Sequence, residues 1–183
     1  MAYFYFDFRD DNKKHLHNLL PSLLFQFAAV SIPCCDIISR VYSAHGKGTR
    51  QPTDEILIKC LTNMLIAIAQ RPIYIMMDAL DECPKTTGVR SSRGRILSFI
   101  NDLFDLRLPN LHIWVTSRPE LDIRIRLEPL TSCRVSLHDQ IGHKESIAKY
   151  ISSEINVIAN DKRWREYDKK LAVETLSKTA DGM

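Results

Sequence analysis

The sequence predicts an α/β protein with a mostly parallel sheet of about four strands, followed by C-terminal helices. Two observations lead to this fold class. Short apolar runs rich in aromatic and β-branched residues alternate with longer segments in which apolar residues recur at helical spacing. In addition, the run Ile73–Met77 has no polar break, which is typical of a parallel strand buried on both faces. Strands that alternate with helices in this way favour a parallel sheet.

Length and composition are those of one soluble globular domain with a sizeable core. The chain has 183 residues, of which 45% are hydrophobic and 26% charged, as is ordinary for such proteins. The net charge of +3 is too small to predict binding to nucleic acid or to a membrane surface. No apolar run approaches the roughly 18 residues of a membrane-spanning helix. We therefore expect no nucleic-acid or membrane partner.

The cysteines and the N-terminal residues indicate a cytoplasmic protein. The five cysteines form no Cys-x-x-Cys pair, which favours free, buried thiols in a reducing compartment. The first residues lack the cleavage region of a secretory signal. The segment Ala2–Phe8 is instead aromatic and β-prone, and it predicts a buried strand that starts almost at the first residue. Domains seldom begin in this way, so we expect further polypeptide upstream.

Three helices are predicted between this strand and the next. Large apolar residues recur at helical spacing over Leu16–Phe27, and Pro21 inside that stripe should start or kink the helix. A short helix around Asp36–Tyr42 follows. Thr53 is suited to cap the third helix, whose buried stripe covers Leu57–Ile68.

The second half of the chain supplies two more strands and three more helices. The basic, polar stretch Lys85–Arg95 predicts an exposed loop that enters a helix over Ile96–Phe104. Leu111–Thr116 is predicted to be another buried strand, and Cys133–Leu137 alternates weakly enough to predict only a short one. Two helices finish the chain, with apolar stripes over 147–158 and 164–171.

Three acids follow the apolar strand at residues 73–77. Asp78 ends the strand, and Asp81 and Glu82 come shortly after it. Ligands of open α/β sheets collect at the carboxyl ends of the strands. Mg²⁺ is held through one or two carboxylates and keeps most of its waters, so Asp78 is a candidate metal ligand. A second carboxylate could polarise a water for attack on a phosphate. The alternative is a core strand followed by an acidic helix start, which suits the helix dipole.

A second group of polar residues follows the strand at residues 111–116. Thr116 and Ser117 supply small hydroxyls, and Arg118 supplies a guanidinium. If the strands are parallel, these residues lie on the same rim of the sheet as the acids. A guanidinium there can hold phosphate oxygens by paired hydrogen bonds. The alternative is an exposed arginine in a turn, or an ion pair with Glu120.

The loop His45–Thr49 contains glycines and a lysine, but it does not have the pattern of a phosphate-binding loop. That pattern requires Gly, four residues and then Gly-Lys-Ser/Thr, placed after a strand and opening a helix. Val41 stands where the first glycine should be, and Gly48 stands where the hydroxyl residue should be. We therefore expect a solvated loop here.

Taken together, Ile73–Glu82 and Val115–Glu120 resemble the NACHT class of signalling P-loop NTPases, and in particular the fungal nephrocystin-3-like NACHT proteins. The two stretches are about forty residues apart, and their pairing is more specific than either alone. Three further stretches fit the resemblance: the aromatic strand at 3–8, the leucine-rich helix after it, and the segment 135–139 leading into 147–151.

The resemblance implies a role for each candidate residue. Asp78 matches the Walker B acid that holds Mg²⁺, and Asp81 and Glu82 match the acids that position the hydrolytic water. Arg118 matches the sensor arginine near the γ-phosphate, with Thr116 and Ser117 beside it on the cofactor-binding side. The implied cofactors are Mg²⁺ and ATP or GTP. In the family, nucleotide exchange switches a receptor or scaffold between closed and oligomeric states.

One part of the family pattern is absent from this sequence. The Walker A loop, which supplies the lysine and the backbone N–H groups that cradle the phosphates, precedes the strand that begins here at Ala2. The resemblance therefore implies an incomplete P-loop NTPase three-layer sandwich. It also implies that the strand ending at Thr116 has an open edge, since the missing first strand would lie beside it.

These expectations define a domain division, a function and a set of partners. Residues 1–139 would form a partial NACHT nucleotide-binding domain, and residues 140–183 would start the following helical subdomain. The predicted function is a truncated NACHT-type NTPase domain that does not hydrolyse nucleotide alone. Such a truncated chain could also bind no cofactor. Its partners would be the missing N-terminal segment or other NACHT-type chains, including copies of itself.

Two other functions are compatible with the residues. The first is a non-catalytic interaction module that uses the exposed sheet edge or apolar helix faces to join other NACHT proteins. The second is a complete ATPase of a divergent kind, with Gly46–Thr49 acting on phosphate; the mismatch to the loop pattern argues against it.

Overall fold

A computed structural model describes residues 1–85, 91–136, 141–162 and 164–179. The chain divides into two compact units, residues 1–131 and residues 132–183. The first unit contains the sheet and the candidate site, and the second contains two helices. The predicted functional division at residue 139 remains a prediction.

A three-stranded parallel sheet forms the centre of the first unit. Its strands are β1 (Ala2–Tyr5), β2 (Ile73–Asp78) and β3 (Leu111–Val115), in the order β1-β2-β3. Both pairings are parallel, so the predicted α/β class and the parallel sheet are confirmed. Strand β3 lies at one edge of the sheet among the described residues.

The predicted fourth strand is wrong for the residues that the structure describes. Residues 133–136 are irregular, and Leu137, with the His138–Asp139 strand end, lies outside the described residues. Val135, the apolar residue of the segment, is 67% exposed. The weak alternation therefore has no buried face to stabilise a strand.

Seven α-helices accompany the sheet in the described part of the chain. The first unit holds α1 (Leu16–Val30), α2 (Ile32–Ala44), α3 (Asp54–Ala67), α4 (Ser92–Asp105) and α5 (Leu121–Leu127). The second unit holds α6 (Ile141–Lys162) and α7 (Glu166–Thr179), which confirms the predicted final pair. Short 3₁₀ turns occur at Asp11–Lys13, Leu80–Glu82 and Glu128–Leu130.

Helix α1 passes through Pro21 without starting anew there. The prediction that this proline starts a helix is wrong, because α1 begins earlier, at Leu16. Proline lacks the backbone donor that would bond the carbonyl four residues earlier, so α1 loses one internal hydrogen bond at this position. Apolar residues of α1, including Leu19 and Leu23 at 0% exposure, are buried in the core and compensate for the lost hydrogen bond.

The two faces of the sheet differ. On one face, Phe4, Ile75 and Met77 pack into the same core as the buried residues of α1, α3 and α4. On the other face, the described aromatic residues are open: Tyr3, Tyr5, Tyr74 and Trp114 are 45%, 49%, 42% and 63% exposed. The prediction that β2 is buried on both faces is therefore wrong, and β3, predicted to be a buried strand, alternates between half-buried and exposed residues. The three-layer arrangement that the resemblance implies is also not found among the described residues of the first unit.

The cysteines and the helices test two further expectations. All five cysteines are free; Cys34, Cys60 and Cys83 are buried as predicted, whereas Cys35 and Cys133 are exposed. Within the described ranges, the longest apolar stretches of helix fall short of what is needed to cross a membrane.

Candidate functional site

The candidate site begins where β2 ends. Asp78 is its last residue, and Ala79 follows in a left-handed conformation with φ 55° and ψ 47°. This conformation costs a non-glycine residue roughly 1–2 kcal/mol, so the surrounding contacts must sustain it. It turns the chain sharply and places Leu80, which is 0% exposed, in the core. We call residues 78–82 the acidic turn.

Thr116 locks the acidic turn to the end of β3. Its N–H donates to the carbonyl of Met77 at 3.0 Å, and its own carbonyl accepts from the N–H of Leu80 at 3.0 Å. Its hydroxyl accepts from the N–H of Ala79 at 2.9 Å and donates to Asp78 Oδ1. The residues after β2 and those after β3 therefore form one hydrogen-bonded structure.

Arg118 adds a second link, to Asp81. The Arg118 N–H donates to Asp81 Oδ1 at 2.9 Å, and the Arg118 Nε lies 3.4 Å from Asp81 Oδ2. The Asp81 side chain is only 10% exposed, whereas that of Arg118 is 70% exposed. The parallel strands thus bring the predicted acids and the predicted arginine to one rim. The partner of Arg118 is Asp81 rather than Glu120, and both oxygens of Asp81 are engaged.

Glu82 and Ser117 make contacts that the sequence did not predict. The Glu82 Oε2 accepts from the N–H of Phe8 at 3.2 Å, which ties the acidic turn to the segment after β1. The Ser117 hydroxyl donates to the carbonyl of Arg118 at 2.7 Å. Ser117 therefore shapes its own loop and makes no hydrogen bond to the acids in the described structure.

Asp78 is the acid best suited to a metal ion. Its Oδ1 accepts from Thr116, and its Oδ2 has no hydrogen-bond partner among the described residues. No cluster of three or more potential metal ligands occurs in the described ranges. One carboxylate with a free oxygen at a strand end suits Mg²⁺, which keeps most of its waters, better than it suits a metal with an all-protein ligand set.

An open cleft of about 390 Å³ lies beside the acidic turn. Its wall carries charges of both signs: Asp81, Glu82, Glu120, Lys85, Arg93 and Arg118. Asp78 is not part of this wall. A ligand in the cleft would meet Arg118 directly, because that side chain is the most exposed part of the Asp81–Arg118 pair.

Arg93 is a site residue that the sequence analysis missed. The basic stretch 85–95 predicts an exposed loop, but Arg93 lies in the first turn of α4 and is 3% exposed. The pattern contained a usable indication, because Arg93 precedes Ile96, Leu97 and Ile100 at spacings of three, four and seven residues. These are the spacings of one helix face. A charge on a buried stripe predicts a paired charge.

Two carboxylates at the start of α5 pair with Arg93. Its Nη1 donates to Glu120 and lies 3.3 Å from Asp122 Oδ2. Lys85 Nζ lies 3.1 Å from Asp122 Oδ1. Burial alone would raise the pKa of Asp122, but the hydrogen bond from Lys85 and the charge of Arg93 outweigh it, so the pKa is lowered.

Cys83 follows the acidic turn directly and is 0% exposed. Its thiol donates to the carbonyl of Lys14 at 3.0 Å, and its carbonyl accepts from Arg93 Nε at 2.9 Å. Burial raises the pKa of the Cys83 thiol, although a hydrogen bond from Ser92 and the charge of Arg93 oppose the shift. The thiol is therefore protonated and shielded at neutral pH.

The fold and the site together define an α/β protein whose polar residues gather at the carboxyl ends of parallel strands, where such folds bind ligands. A family model described as Nephrocystin 3, N-terminal, matches residues 1–118. The chain therefore belongs to the nephrocystin 3 N-terminal family, which confirms the nephrocystin-3-like part of the resemblance.

Neither the comparison with curated proteins nor the comparison with solved structures gives a match. The family description names no nucleotide and no metal. Assignment of the chain to the NACHT class of NTPases is accordingly a proposal.

Proposed function

We propose that this chain forms the metal and sensor half of a NACHT-type nucleotide site and does not hydrolyse nucleotide by itself. One observation carries the proposal: the acidic turn and the Thr116–Arg118 segment interlock at the carboxyl end of the parallel sheet. Each of the two short motifs has several explanations by itself, but here they form a single hydrogen-bonded structure. In that structure Asp78 and the pair of Asp81 with the exposed Arg118 guanidinium lie at the same end of the sheet.

Asp78 is the residue proposed to hold Mg²⁺, through its free Oδ2. The Thr116 hydroxyl orients the carboxylate by donating to Oδ1, so one oxygen is fixed while the other is available. When bound, Mg²⁺ would neutralise phosphate charge. Thr116 contributes by orientation, and we assign no direct cofactor contact to Ser117, whose hydroxyl is used locally.

Arg118 is the residue proposed to meet phosphate. Its guanidinium is held to Asp81 by one contact of 3.4 Å, and phosphate oxygens offer the paired acceptors that a guanidinium prefers. The hydrogen bond from the Arg118 N–H to Asp81 Oδ1 does not involve the guanidinium and would remain when the guanidinium turns to phosphate. Phosphate binding would thereby free Asp81 Oδ2, and Asp81 and Glu82 are the acids proposed to lie beside the attacking water.

The rest of the nucleotide site is proposed to come from other polypeptide. Residues 1–183 contain no Gly-x-x-x-x-Gly-Lys-Ser/Thr pattern, so the phosphate cradle would be supplied by a segment outside them or by another NACHT-type chain. Strand β3, at the edge of the described sheet, is where a further strand could pair. The free cysteines support a reducing, cytoplasmic location.

Binding of fluorescent ATP and GTP analogues to the 183-residue chain, with and without Mg²⁺, tests the proposal. We expect weak, Mg²⁺-dependent binding that is lost in Asp78→Asn and weakened in Arg118→Met. Asp36→Asn, an exposed acid on α2, is the matched control and should bind as the unmodified chain does. Hydrolysis should be no faster than in Asp78→Asn.

Two results would contradict the proposal. If neither analogue binds in a Mg²⁺-dependent way, the acidic turn holds no nucleotide metal in this chain. If the chain hydrolyses nucleotide and Asp78→Asn abolishes the activity, a phosphate cradle exists within these residues, and the half-site description is wrong.

A further inference from the structure

Arg93 is a buried residue that connects the acidic turn to the segment after Arg118. Its side chain is 4% exposed, which makes it the most deeply buried charged side chain among the described ion pairs. We infer that Arg93 is a positioning residue, which holds the acidic turn at a fixed distance from the segment that carries Arg118. The functional part of this inference rests on the proposed nucleotide site.

On one side, the guanidinium binds the backbone of the acidic turn and of the residue after it. Its Nη2 donates to the carbonyl of Asp81, and its Nε donates to the carbonyl of Cys83 at 2.9 Å. Both carbonyls belong to a single 3₁₀ turn and its end. These bonds fix the backbone that carries Asp81 and Glu82, rather than their carboxylates.

On the other side, the same guanidinium binds the carboxylates of Glu120 and Asp122 through Nη1. These residues lie two and four positions after Arg118, at the start of α5. Arg93 therefore restrains the chain on the far side of Pro119 from Arg118. Three nitrogens of one planar group reach both halves of the site at once.

The chemistry of the guanidinium explains why arginine is needed here. Its donors lie in a rigid, planar fork, whereas the lysine ammonium is a compact point charge on a flexible stem. Lysine at this position could pair with the two carboxylates or with the two carbonyls, but not with both in the same geometry. A charge-conserving change should therefore loosen the site without removing the positive charge.

The Cys83 thiol provides a direct measure of this restraint. Cys83 is buried and bonded to Arg93 through its carbonyl, so opening of the turn exposes it to iodoacetamide. Buried Cys34 and Cys60, in helices α2 and α3, report on the global fold, and exposed Cys35 and Cys133 should react in every variant. Peptide mapping by mass spectrometry separates the five rates.

In Arg93→Met and Arg93→Lys, we expect Cys83 to be alkylated at least about tenfold faster, because access follows local opening. The rates at Cys34 and Cys60 should stay unchanged. Arg95→Met is the matched control, since Arg95 lies two residues along α4 and pairs with Asp54 away from the site. It should leave the Cys83 rate as in the unmodified chain.

The nucleotide analogue separates this inference from the proposed function. Arg93→Lys should weaken Mg²⁺-dependent binding several-fold, and Arg95→Met should not. If the unmodified chain binds no nucleotide while Cys83 is still alkylated faster in the Arg93 variants, the proposed function fails and the structural restraint stands. If Cys83 opens but nucleotide affinity is unchanged, Arg93 does not position the site.

Other outcomes overturn the inference outright. It is wrong if a folded Arg93→Met variant keeps Cys83 protected, or if Arg95→Met exposes Cys83 equally. Should Arg93→Met expose Cys34 and Cys60 as well, the double change Glu120→Gln with Asp122→Asn removes the carboxylate side alone. That variant must then accelerate Cys83 alkylation and weaken nucleotide binding, or the inference is rejected.

Discussion

Two turns in this molecule carry residue types that occur at nucleotide sites, acids in one and glycines with a lysine in the other, and they are built in different ways. The acidic turn, residues 78–82, has Ala79 at φ 55°. The glycine loop, residues 45–50, has Gly46, Lys47 and Gly48 at φ 64°, 54° and 93°. Both regions use left-handed backbone conformations, which are uncommon for residues other than glycine.

The contacts around the two turns differ in range. The acidic turn is bonded to Thr116 and Arg118, more than thirty residues away in sequence. The glycine loop is bonded to itself and to the end of α2: Lys47 N–H donates to the carbonyl of Tyr42 at 3.0 Å, and the Thr49 hydroxyl donates to that of Gly46 at 2.9 Å. The loop follows a helix end rather than a strand.

This difference shows why one region is a candidate site and the other is not. A binding site needs groups from separate elements at one place, and parallel strands provide that convergence at their carboxyl ends. The glycine loop ends α2 as many helix ends do, with left-handed residues that satisfy the last carbonyls. Glycine and lysine in a local sequence do not by themselves make a phosphate cradle.

The largest expected effect is at Leu80, which anchors the acidic turn in the core. Leu80→Ala removes a 0%-exposed side chain and should lower the free energy of unfolding by about 2–5 kcal/mol. Tyr42→Ala, beside the glycine loop and 56% exposed, deletes more atoms but should cost less than about 1 kcal/mol. Urea denaturation measures the unfolding free energy of both variants. Equal losses would mean that Leu80 does not anchor the acidic turn in the core.

A smaller effect is expected at the threonine that links the strands. Thr116→Val removes the hydroxyl that bonds both Ala79 and Asp78, and should cost about 1–2 kcal/mol. Thr49→Val removes one local bond to Gly46 and should cost about 0.5 kcal/mol or less. The two changes are chemically identical, so their difference in urea midpoint isolates the long-range contribution. Equal urea midpoints for the two variants would mean that the Thr116 hydroxyl adds no long-range stabilisation.

Backbone strain should affect the two turns alike, because it depends on local conformation. Ala79→Gly and Lys47→Gly each relieve a positive φ of about 55°. Each should raise the free energy of unfolding by up to about 1 kcal/mol, since the added freedom of the unfolded glycine offsets part of the gain. Thermal unfolding of the two variants compares them. Destabilisation by Ala79→Gly but not by Lys47→Gly would show that the Ala79 methyl group packs favourably.

The sequence predicted most of the fold through its periodicities. The strands at 73–78 and 111–115 and most of the helices follow from apolar spacing. The sequence-based prediction failed where the burial of a side chain depends on which helices pack beside it. The uninterrupted run Ile73–Met77 predicted a strand buried on both faces, yet Tyr74 is exposed. An apolar side chain can face solvent or a core with the same local pattern, so only the arrangement of the helices decides.

The site was predictable in its position but not in its connections. Parallel strands imply that Asp78 and Arg118 share a rim, and sequence alone supports that much. The pairing of Asp81 with Arg118, and of Arg93 with Glu120, depends on side-chain geometry that no spacing records. The positive charge of Arg93 predicts exposure, whereas its place on the apolar stripe of α4 predicts burial, and Arg93 is buried.

The smallest expected effect is the pH dependence of the ionic contacts around Arg93. The folded-state pKa of Asp122 is lowered, as burial is outweighed by Lys85 and Arg93. A lowered folded pKa stabilises the fold above the unfolded pKa of about 4. That contribution is lost as pH falls through the folded value. The difference in unfolding free energy between the unmodified chain and Asp122→Asn should thus be largest at neutral pH.

Urea titrations from about pH 7 down to about pH 3 measure this difference, which should shrink below pH 4. Lys85→Gln should reduce it across the range, because Lys85 is 3.1 Å from Asp122. Lys47→Gln supplies the comparison in the glycine loop, which has no ion pair among the described residues, and its effect should not vary with pH. A constant Asp122→Asn difference would mean that the pKa of Asp122 is the same in the folded and unfolded chain, so that its charge adds nothing to stability. Arg93 would then hold the start of α5 through Glu120 alone.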